Sequence, residues 1–243
     1  MSSLPDIQET DPLFQMIGAV APVLVPYTKI RIVDELWSRP GLAPRERAIV
    51  SVAILVSRNA SGAYAHYLNK ALDIGVTPAE LSELLAHLAF YTGFGYAFGA
   101  VGVLKGIFEE RSIGIDQLPG ASPALLATED VLPRGSDREA FLTAHIAQAS
   151  EALRHFSDEL LYGEVWRRPG LAARDRALAT LVSHAAQGQL GLLPAGLSHA
   201  LALGVTELEI GESLAHVAFY SGWGNALEAA RVLTGMMKAA EGS

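Results

Sequence analysis

Apolar residues recur along the chain at helical spacing, with short turn signals between the runs. Apolar side chains predominate from Glu46 to Ser57, and the length and alanine content of this run favour a buried helix, although its β-branched residues also allow a strand. A second helix is predicted over Ala63–Ile74, because Gly75 is typical of a helix C-terminus. The first part of the pattern therefore predicts two consecutive helices.

Two further helices are predicted to flank a turn that contains two glycines. The sequence Thr-Pro-Ala-Glu at 77–80 has the pattern of a capping box with proline at the first helical position. A third helix is therefore predicted from this box to Tyr91. After the Gly-Phe-Gly turn at 93–95, a fourth helix is predicted to continue to about Glu110.

The same pattern returns 129 residues later. Residues 37–97 align with residues 166–226 without a gap, and 27 of the 61 aligned pairs are identical. The shared helix carries one histidine in each copy, His87 and His216, and ends in a Gly-aromatic-Gly turn. Such identity indicates an internal duplication. The predicted fold is all-α, with two tandem helical repeats related by a pseudo-twofold duplication.

Prolines and glycines suggest how the rest of the chain is organised. Residues 1–30 are expected to form an N-terminal leader in which Pro12, Pro22 and Pro26 limit long helices. The apolar segment Leu13–Val25 is expected to pack on the body or on a neighbouring subunit. The expected boundaries are 31–111 for the first repeat, 112–136 for the linker and 137–243 for the second repeat, which begins with a helix from Asp137 to about Gly163.

Composition and charge narrow the possible partners and compartment. Half of the residues are hydrophobic, so partner subunits of a homo-oligomer are expected to cover part of the surface. A net charge of −8 without a basic stripe argues against nucleic acid. Charged residues or histidine interrupt each apolar run before it reaches the length of a membrane span. The polar first ten residues do not resemble a secretory signal, so the cytoplasm is the expected compartment.

The chain contains no cysteine. Disulfides, thiolate catalysis and cysteine-ligated metals are therefore excluded. The histidines outside the repeated helix are scattered, and they do not form a metal-binding motif. No metal and no cofactor is expected.

The repeated motifs resemble the carboxymuconolactone decarboxylase family. They are Leu-x-Pro-Arg-x-Arg, then a buried helix, then Ala-Leu-x-x-Gly-Val-Thr-x-x-Glu-Leu-x-Glu and His-x-Ala-x-Tyr-x-Gly, over residues 35–110 and 164–240. The family includes γ-carboxymuconolactone decarboxylases and alkylhydroperoxidase D-type peroxidases. The resemblance implies small helical units that form homo-oligomers, for this chain a trimer of pseudo-dimers, with sites near subunit boundaries.

The resemblance to the peroxidase branch places four functional residues in each repeat, namely a glutamate, two cysteines and a histidine. The corresponding positions are Ala48, Ala60, Ala63 and Tyr67 in the first repeat and Ala177, Gln189, Leu192 and Gly196 in the second. Thiol peroxidase activity is rejected because it needs a thiolate. The decarboxylase branch lacks these cysteines and often carries a histidine at the position of His87 and His216.

Glu80, Glu83, His87 and Tyr91 can share one helix face. A carboxylate beside an imidazole raises the imidazole pKa and fixes its tautomer, which suits general acid–base catalysis. The catalytic candidates are His87 with Glu83 and His216 with Glu212. The alternative is a core histidine bonded to Glu83 or to a backbone carbonyl, or a histidine in a subunit contact.

The candidates for substrate binding come mainly from the first repeat. They are Arg45, Arg58, Tyr64, His66, Tyr67, Tyr91, Phe94 and Trp223. Arg45 could clamp a carboxylate, or it could form a structural salt bridge to Glu80 or Glu83. The polar and aromatic residues 58–67 suggest a pocket, or an exposed helix start, whereas the less polar counterpart at 187–196 is expected to pack. Phe94 and Trp223 could line an apolar pocket or belong to the core.

Two functions follow from these candidates. The first is a cofactor-independent lyase, performing decarboxylation, isomerisation or cyclisation on a small carboxylated or cyclic substrate such as a lactone or keto acid. Tyr64 and Tyr67 would then shape the pocket or donate a hydrogen bond to a developing enolate. The second is a non-catalytic ligand-binding or assembly protein on the same fold.

Overall fold

The computed structural model of the protein describes residues 12–132 and 142–241. Within these ranges the ordered elements are helices and no strand occurs, which confirms the all-α prediction. None of the described helices combines the length and the apolarity needed to cross a membrane. The chain divides after Gly41 into two compact units.

The N-terminal unit consists of short helical segments. They are α1 (Pro12–Val20), Leu24–Pro26, the π-helical segment Tyr27–Glu35 and a 3₁₀ turn at Leu36–Ser38. Proline lacks a backbone N–H and cannot donate the i→i−4 hydrogen bond of a helix interior. Accordingly α1 ends before Pro22, as the sequence predicts.

The first repeat contains the four predicted helices. They are α2 (Pro44–Ser57), α3 (Ser61–Ile74), α4 (Pro78–Thr92) and α5 (Phe94–Glu110). The φ angle of Gly75 is +103°, in the left-handed region that favours glycine, so this residue ends α3 as predicted. Thr77 and Glu80 form the predicted capping box at the start of α4.

The connection between the repeats differs from its prediction. A continuous helix was expected from Asp137 to about Gly163, and its first residues, 137–141, lie outside the described residues. The remainder is divided into the π-helical segment Leu142–Ile146, a turn, α6 (Glu151–Phe156) and a second π-helical segment, Ser157–Tyr162. The break precedes α6 because Ser150 has extended backbone angles and its hydroxyl caps the new helix at the N–H of Leu153.

The second repeat contains four helices in the same order as the first. They are α7 (Ala173–Ala186), α8 (Leu193–Ala202), α9 (Glu207–Ser221) and α10 (Trp223–Glu241). A capping box formed by Thr206 and Glu209 begins α9, as its counterpart begins α4. The tandem repeat is thus confirmed down to its helix caps.

The helices α2 and α7 pack against each other at the centre of the second unit. All residues from Arg47 to Ser57 and from Asp175 to Ala186 are buried. In addition, α2 packs on α9 and α7 packs on α4, so each central helix contacts the histidine-bearing helix of the other repeat. The described residues from Leu42 onwards therefore belong to one compact unit in which the two repeats share a core.

Candidate active site in the second repeat

The two repeated histidines lie in the shared core. His87 on α4 and His216 on α9 are both 0% exposed. Nε2 of His87 lies 2.8 Å from Oγ1 of Thr180 on α7, and Nδ1 of His216 lies 3.0 Å from Oγ of Ser51 on α2. Thr180 and Ser51 are themselves repeat equivalents. Each imidazole thus contacts a hydroxyl on the central helix of the other repeat.

Glu83 does not hydrogen-bond His87. Its carboxylate accepts hydrogen bonds from Nη2 of Arg168 at 2.7 Å and from Nη2 of Arg176 at 2.7 Å. Burial alone would raise the pKa of Glu83, but these two arginines hold it below its usual value. The expectation that Glu83 orients His87 is wrong in this respect, because two guanidinium groups from the second repeat occupy the carboxylate. Glu212, the equivalent of Glu83, is also buried.

The pKa values of both repeated histidines are lowered, whereas the sequence pattern predicts raised values. Burial, followed by the positive charge of Arg176, holds the pKa of His87 well below 6.5. Burial, followed by the charge of Arg47, lowers the pKa of His216 to about 3. Both imidazoles are therefore neutral at pH 7, because their surroundings penalise the charged form.

Arg45 forms the structural salt bridge that the sequence offered as an alternative. Its Nη2 donates to the carboxylates of Glu80 and, at 2.7 Å, of Asp175 on α7. The repeat equivalent, Arg174, donates to Glu209. Burial alone would lower the pKa of Arg45, but its hydrogen bonds to Asp175 and Glu80 raise it. Arg45 therefore ties α2 to α4 and to the second repeat.

The candidate residues at 58–67 do not converge on one site. Tyr64 is buried, with 2% of its surface exposed, while Arg58 and His66 are exposed. Tyr67 is half-buried, and its hydroxyl donates to the hydroxyl of Tyr220 at 2.9 Å. These residues are thus divided between the core, the surface and a tyrosine pair.

The aromatic residues of the two Gly-x-Gly turns lie at the surface. Phe94 is 50% exposed and Trp223 is 56% exposed. The expectation that these two residues belong to the core is therefore wrong. Tyr91, one turn before Phe94, instead lines a cavity.

A partly open cavity of about 340 Å³ is lined by α4 of the first repeat, α7 and α8 of the second repeat and the connecting residues 142–166. Its apolar lining includes Phe90, Leu142, Ile146, Leu153, Leu161 and Leu192. Its polar lining includes Tyr91, Tyr162, Thr180, His184, Gln189 and His199. No Lys, Arg, Asp or Glu occurs among the described lining residues. The cavity is therefore apolar on one part of its wall and polar but without fixed charge on another.

The Tyr91 hydroxyl is held by Trp166, whose Nε1–H donates a hydrogen bond to its oxygen at 2.8 Å. Thr180, which also lines the cavity, contacts Nε2 of His87. Burial is the main cause that raises the pKa of Tyr91, so the phenol keeps its proton. The buried His87 therefore reaches the cavity through Thr180.

His184 and Gln189 form the second polar element of the cavity. Nδ1 of His184 lies 2.6 Å from Oε1 of Gln189. An amide oxygen only accepts hydrogen bonds, so with this amide orientation Nδ1 carries the hydrogen and Nε2 carries a lone pair. No described residue hydrogen-bonds Nε2. Burial lowers the pKa of His184, so the imidazole is neutral at pH 7.

His199 completes the polar wall beside Trp166. The two rings stack with their centroids 4.5 Å apart, and Nε2 of His199 lies 3.0 Å from the carbonyl oxygen of Val131. Among the described residues, no group of three or more His, Asp or Glu side chains is placed to hold a metal ion. The polar wall therefore offers hydrogen-bonding and proton-carrying groups.

Gly196 lies in the cavity wall at a point where α8 packs closely on α7. It lies within α8, where glycine costs about 1 kcal/mol relative to alanine. A Cβ atom at 196 would lie 3.3 Å from Cδ1 of Leu181 and 3.9 Å from Cδ2 of His184. A larger side chain would have to extend past His184. The first repeat has Tyr67 at the equivalent position.

The sequence interpretation missed most of the cavity residues. It treated His184 and His199 as scattered, and it expected the stretch 187–196 to pack rather than to line a cavity. Nevertheless the family resemblance placed Gln189, Leu192 and Gly196 at the peroxidase positions, and all three line the cavity. The alignment with the peroxidase positions could therefore have located the cavity. It was not used in this way because the stretch 187–196 is less polar than its counterpart and was expected to pack.

Comparisons with known proteins agree with the fold and the repeat. A curated relative, 4-carboxymuconolactone decarboxylase of Acinetobacter baylyi, is 30% identical over 84 residues, which are 35% of this chain and 63% of the relative. A second, nitrosuccinic acid decarboxylase of Metarhizium robertsii, is 43% identical over 74 residues, which are 29% of this chain and 50% of the relative. The chain thus matches less than two thirds of the length of each. The sequence pattern of the carboxymuconolactone decarboxylase family matches residues 31–106 and 140–235, and the chain belongs to this family.

Proposed function

We propose that the protein is a decarboxylase-like enzyme and that its reaction takes place in the cavity beside α7 and α8. The observation that carries this proposal is the pair His184–Gln189 on the wall of this cavity. An imidazole with a fixed tautomer and an unoccupied ring nitrogen is suited to carry a proton. The names of both relatives support loss of CO₂ as the reaction.

His184 serves as the proton carrier in the proposed reaction. Its neutral Nε2 accepts the proton that accompanies the substrate carboxyl group, and Oε1 of Gln189 stabilises the resulting imidazolium through Nδ1–H. The bond between the carboxyl carbon and its neighbour then breaks. Its electron pair passes to an adjacent carbonyl group as an enolate, and CO₂ leaves. Nε2–H finally returns the proton to the carbon, which restores neutral His184.

Tyr91 stabilises the enolate in this proposal. The hydroxyl oxygen already accepts a hydrogen bond from Trp166, so the hydroxyl hydrogen is the group that can be donated to a substrate oxygen. A donor that is already oriented requires little reorganisation as the negative charge develops. The described part of the lining, which contains no Lys, Arg, Asp or Glu, also favours the loss of a carboxylate, whose localised charge becomes delocalised in the enolate.

His87 is proposed to be a positioning residue. It is fully buried and contacts the cavity through Thr180. Its ring also lies 4.9 Å from the ring of Tyr91 and 5.0 Å from the ring of Trp166. These contacts fix the orientation of the Tyr91 hydroxyl. Removal of His87 is therefore expected to lower turnover through misplacement of Tyr91.

We also propose that the chain forms a homo-oligomer through its exposed apolar residues. Phe94 and Phe98 in the first repeat are 50% and 64% exposed, and their equivalents Trp223 and Leu227 are 56% and 63% exposed. Such residues are characteristic of surfaces that another subunit covers. Light scattering of wild type and of the variant Phe94→Ser/Trp223→Ser tests this, and an unchanged molar mass contradicts it.

The proposed activity is tested by measuring CO₂ release from γ-carboxymuconolactone, nitrosuccinic acid and a set of β-keto acids. The variant His184→Asn keeps an amide that can face Gln189 but removes the proton-carrying Nε2. Loss of a positioned acid–base group typically lowers the rate 10²–10⁴-fold, so we expect turnover to fall at least about 100-fold. The matched control is His155→Asn, because His155 is exposed on α6 and does not line the cavity.

Two outcomes contradict the proposal. If none of the compounds releases CO₂ above the spontaneous rate, the protein does not catalyse this reaction on them. If CO₂ release is equal in wild type and His184→Asn, His184 does not carry the proton. Ligand binding without turnover in wild type would instead favour the non-catalytic alternative.

A further inference from the structure

We propose that the amino-terminal turn of α8 binds a carboxylate that the substrate retains during the reaction. This inference rests on the proposed function, because it concerns the same cavity and assigns a second carboxyl group to the substrate. The site consists of the first turn of α8, the side-chain amide of Gln189 and the imidazole of His184. The substrate class that fits it has two carboxyl groups, one lost as CO₂ and one retained.

The first turn of α8 lies in the cavity wall. Leu192, Ala195 and Gly196 line the cavity, and α8 itself extends over ten residues, Leu193–Ala202. The first N–H groups of a helix lack acceptors within the helix, and the helix dipole adds a partial positive charge there. Within the described chain no side chain caps α8, whose N-cap residue, Leu192, carries only an aliphatic group. This helix end can therefore accept an anion.

The backbone donor of the proposed site is the N–H of Ala195. The N–H of Leu193 bonds to the carbonyl oxygen of Leu190, and Pro194 has no N–H. Ala195, which lines the cavity, therefore supplies the remaining N–H of the first turn. A carboxylate oxygen at this end of α8 would accept a hydrogen bond from it.

The side chains of Gln189 and His184 point to a ligand independently of the helix end. Oε1 of Gln189 lies 2.6 Å from Nδ1 of His184, and the Gln189 amide N–H groups have no partner among the described residues. His184 is 7% exposed, and its Nε2 also lacks a described partner. A Cβ atom at position 196 would lie 3.9 Å from Cδ2 of His184, so this edge of the imidazole faces the first turn of α8. The amide can donate to a carboxylate, and Nε2 can accept from a protonated carboxyl group.

The charge of each carboxyl group decides which of them binds at α8. The leaving group loses its negative charge as CO₂ forms, so an interaction that stabilises this charge would oppose the reaction. The retained carboxylate keeps its charge throughout, and the helix end can hold it without raising the barrier. The retained carboxylate therefore binds at the N–H of Ala195 and the amide of Gln189, and the leaving carboxyl group lies at Nε2 of His184.

An unreactive γ-keto acid and its ester test the site without turnover. Levulinate carries one carboxylate and a ketone and is not set up to lose CO₂, and methyl levulinate is its uncharged counterpart. We expect isothermal titration calorimetry of wild type to give a Kd for levulinate at least about tenfold below that for methyl levulinate. Equal affinities, or no binding of levulinate, overturn the inference.

Two variants of nearly equal size test the physical cause. Ala195→Asp places a carboxylate in the first turn of α8, where it suits the helix dipole but repels a bound anion. Ala195→Asn has almost the same shape without the charge. We expect levulinate to bind Ala195→Asp at least about tenfold more weakly than Ala195→Asn, and equal Kd values overturn the inference.

The control for the added charge is Leu208→Asp. Leu208 lies in the first turn of α9, is 64% exposed and does not line the cavity. This variant should keep the wild-type Kd for levulinate, and an equal weakening in Leu208→Asp and Ala195→Asp contradicts the assignment to α8. Circular dichroism and thermal melting establish that the three variants are folded.

Turnover separates this inference from the catalytic proposal. If levulinate binds as expected but none of the assay compounds loses CO₂, the carboxylate site stands and the catalytic proposal fails. Nitrosuccinic acid, one of these compounds, carries two carboxyl groups. If its decarboxylation depends on His184 but has the same KM in Ala195→Asp and Ala195→Asn, the catalytic proposal stands and the carboxylate site is overturned.

Discussion

The two repeats share four helices in the same order, and one of the positions at which they differ bears directly on the cavity. In the first repeat this position is Tyr67, whose hydroxyl donates to Tyr220 at 2.9 Å. In the second repeat it is Gly196, and Tyr91, the equivalent of Tyr220, lines the cavity and is held by Trp166. The comparison shows that the two repeats can keep a common core while the side chain at one equivalent position changes from tyrosine to glycine.

Both repeats keep the same kind of contact between a buried histidine and the central helix of the other repeat. His87 contacts Thr180 and His216 contacts Ser51, so both copies place a neutral imidazole against a hydroxyl of the opposite central helix. The four groups lie in a shared core that neither repeat can form alone. The repeated histidine is therefore a residue of the shared core. The cavity histidine, His184, has no counterpart in the first repeat, where Leu55 occupies the equivalent position.

The largest expected effect concerns the ion cluster that ties α4 to the second repeat. Arg176 is fully buried and binds Glu83, so Arg176→Met leaves a buried carboxylate with less compensation. Removal of one partner of a buried pair costs about 3–5 kcal/mol, and urea unfolding measures it. The control Arg111→Met removes a surface bridge to Asp73 and should cost less than about 1 kcal/mol. Equal losses in both variants would contradict a structural role for the cluster.

The next effect concerns the position that distinguishes the two repeats. Gly196→Tyr places in α8 the side chain that α3 already carries, and it should fill the space beside His184. We expect kcat/KM to fall about 100-fold, which corresponds to about 2.7 kcal/mol. Gly211→Tyr makes the same change on the exposed surface of α9 and serves as the control. Unchanged kcat/KM in a folded Gly196→Tyr variant would show that the active site lies elsewhere.

A smaller effect concerns the dependence of stability on pH. The pKa of His216 is about 3 in the folded state and about 6.5 in the unfolded chain, so the unfolded chain takes up the proton first as the pH falls. Below pH 6.5 the free energy of unfolding should therefore decrease, by about 2 kcal/mol at pH 5 from this group alone. His87 contributes in the same direction. Urea unfolding at pH 7 and pH 5 measures the decrease.

The variants His216→Asn and His87→Asn divide this pH dependence between the repeats. Each variant should show a weaker loss of stability between pH 7 and pH 5 than wild type, whatever its stability at pH 7. His155→Asn, at an exposed position, should keep the wild-type slope. Identical slopes in all four proteins would show that the two core histidines are not buried in their neutral form.

The smallest effect concerns the helix caps, where the two repeats should behave alike. Thr77 accepts a hydrogen bond from the N–H of Glu80 at 3.2 Å, and Thr206 accepts one from Glu209 at 3.3 Å. Thr77→Ala and Thr206→Ala should each cost about 1 kcal/mol, and the double variant should cost about the sum. Thermal unfolding measures this, with Thr234→Ala on the exposed side of α10 as control. Clearly unequal losses would indicate that only one repeat depends on its cap.

The sequence was sufficient for the features that depend on neighbouring residues. The apolar runs predicted α2 to α5, the glycine at 75 predicted the end of α3, and the ungapped alignment predicted the second set of helices. These features follow from local backbone preferences and from helical periodicity. The prediction of one continuous helix from Asp137 was wrong because Ser150 caps a new helix within it. Periodicity alone does not reveal such a break.

Sequence spacing on one helix could not determine the partners of the candidate residues. Glu83 and His87 are four residues apart, and this spacing suggested a hydrogen bond between them. In the folded chain Arg168 and Arg176 bind Glu83, and these residues are more than eighty positions away. Burial in the shared core also lowers the pKa of His87, whereas the spacing on the helix suggested a raised pKa.

The sequence by itself therefore determined the helices, the duplication, the family and the absence of thiol chemistry. The tertiary structure alone decided that a cavity lies between α4 of the first repeat and α7 and α8 of the second, and that His184, Gln189 and Tyr91 line it together. The physical reason is that a cavity is a property of packing between helices. Its presence depends on how much volume the facing side chains of both repeats fill, and a single glycine in place of a tyrosine changes that volume without changing the helical pattern.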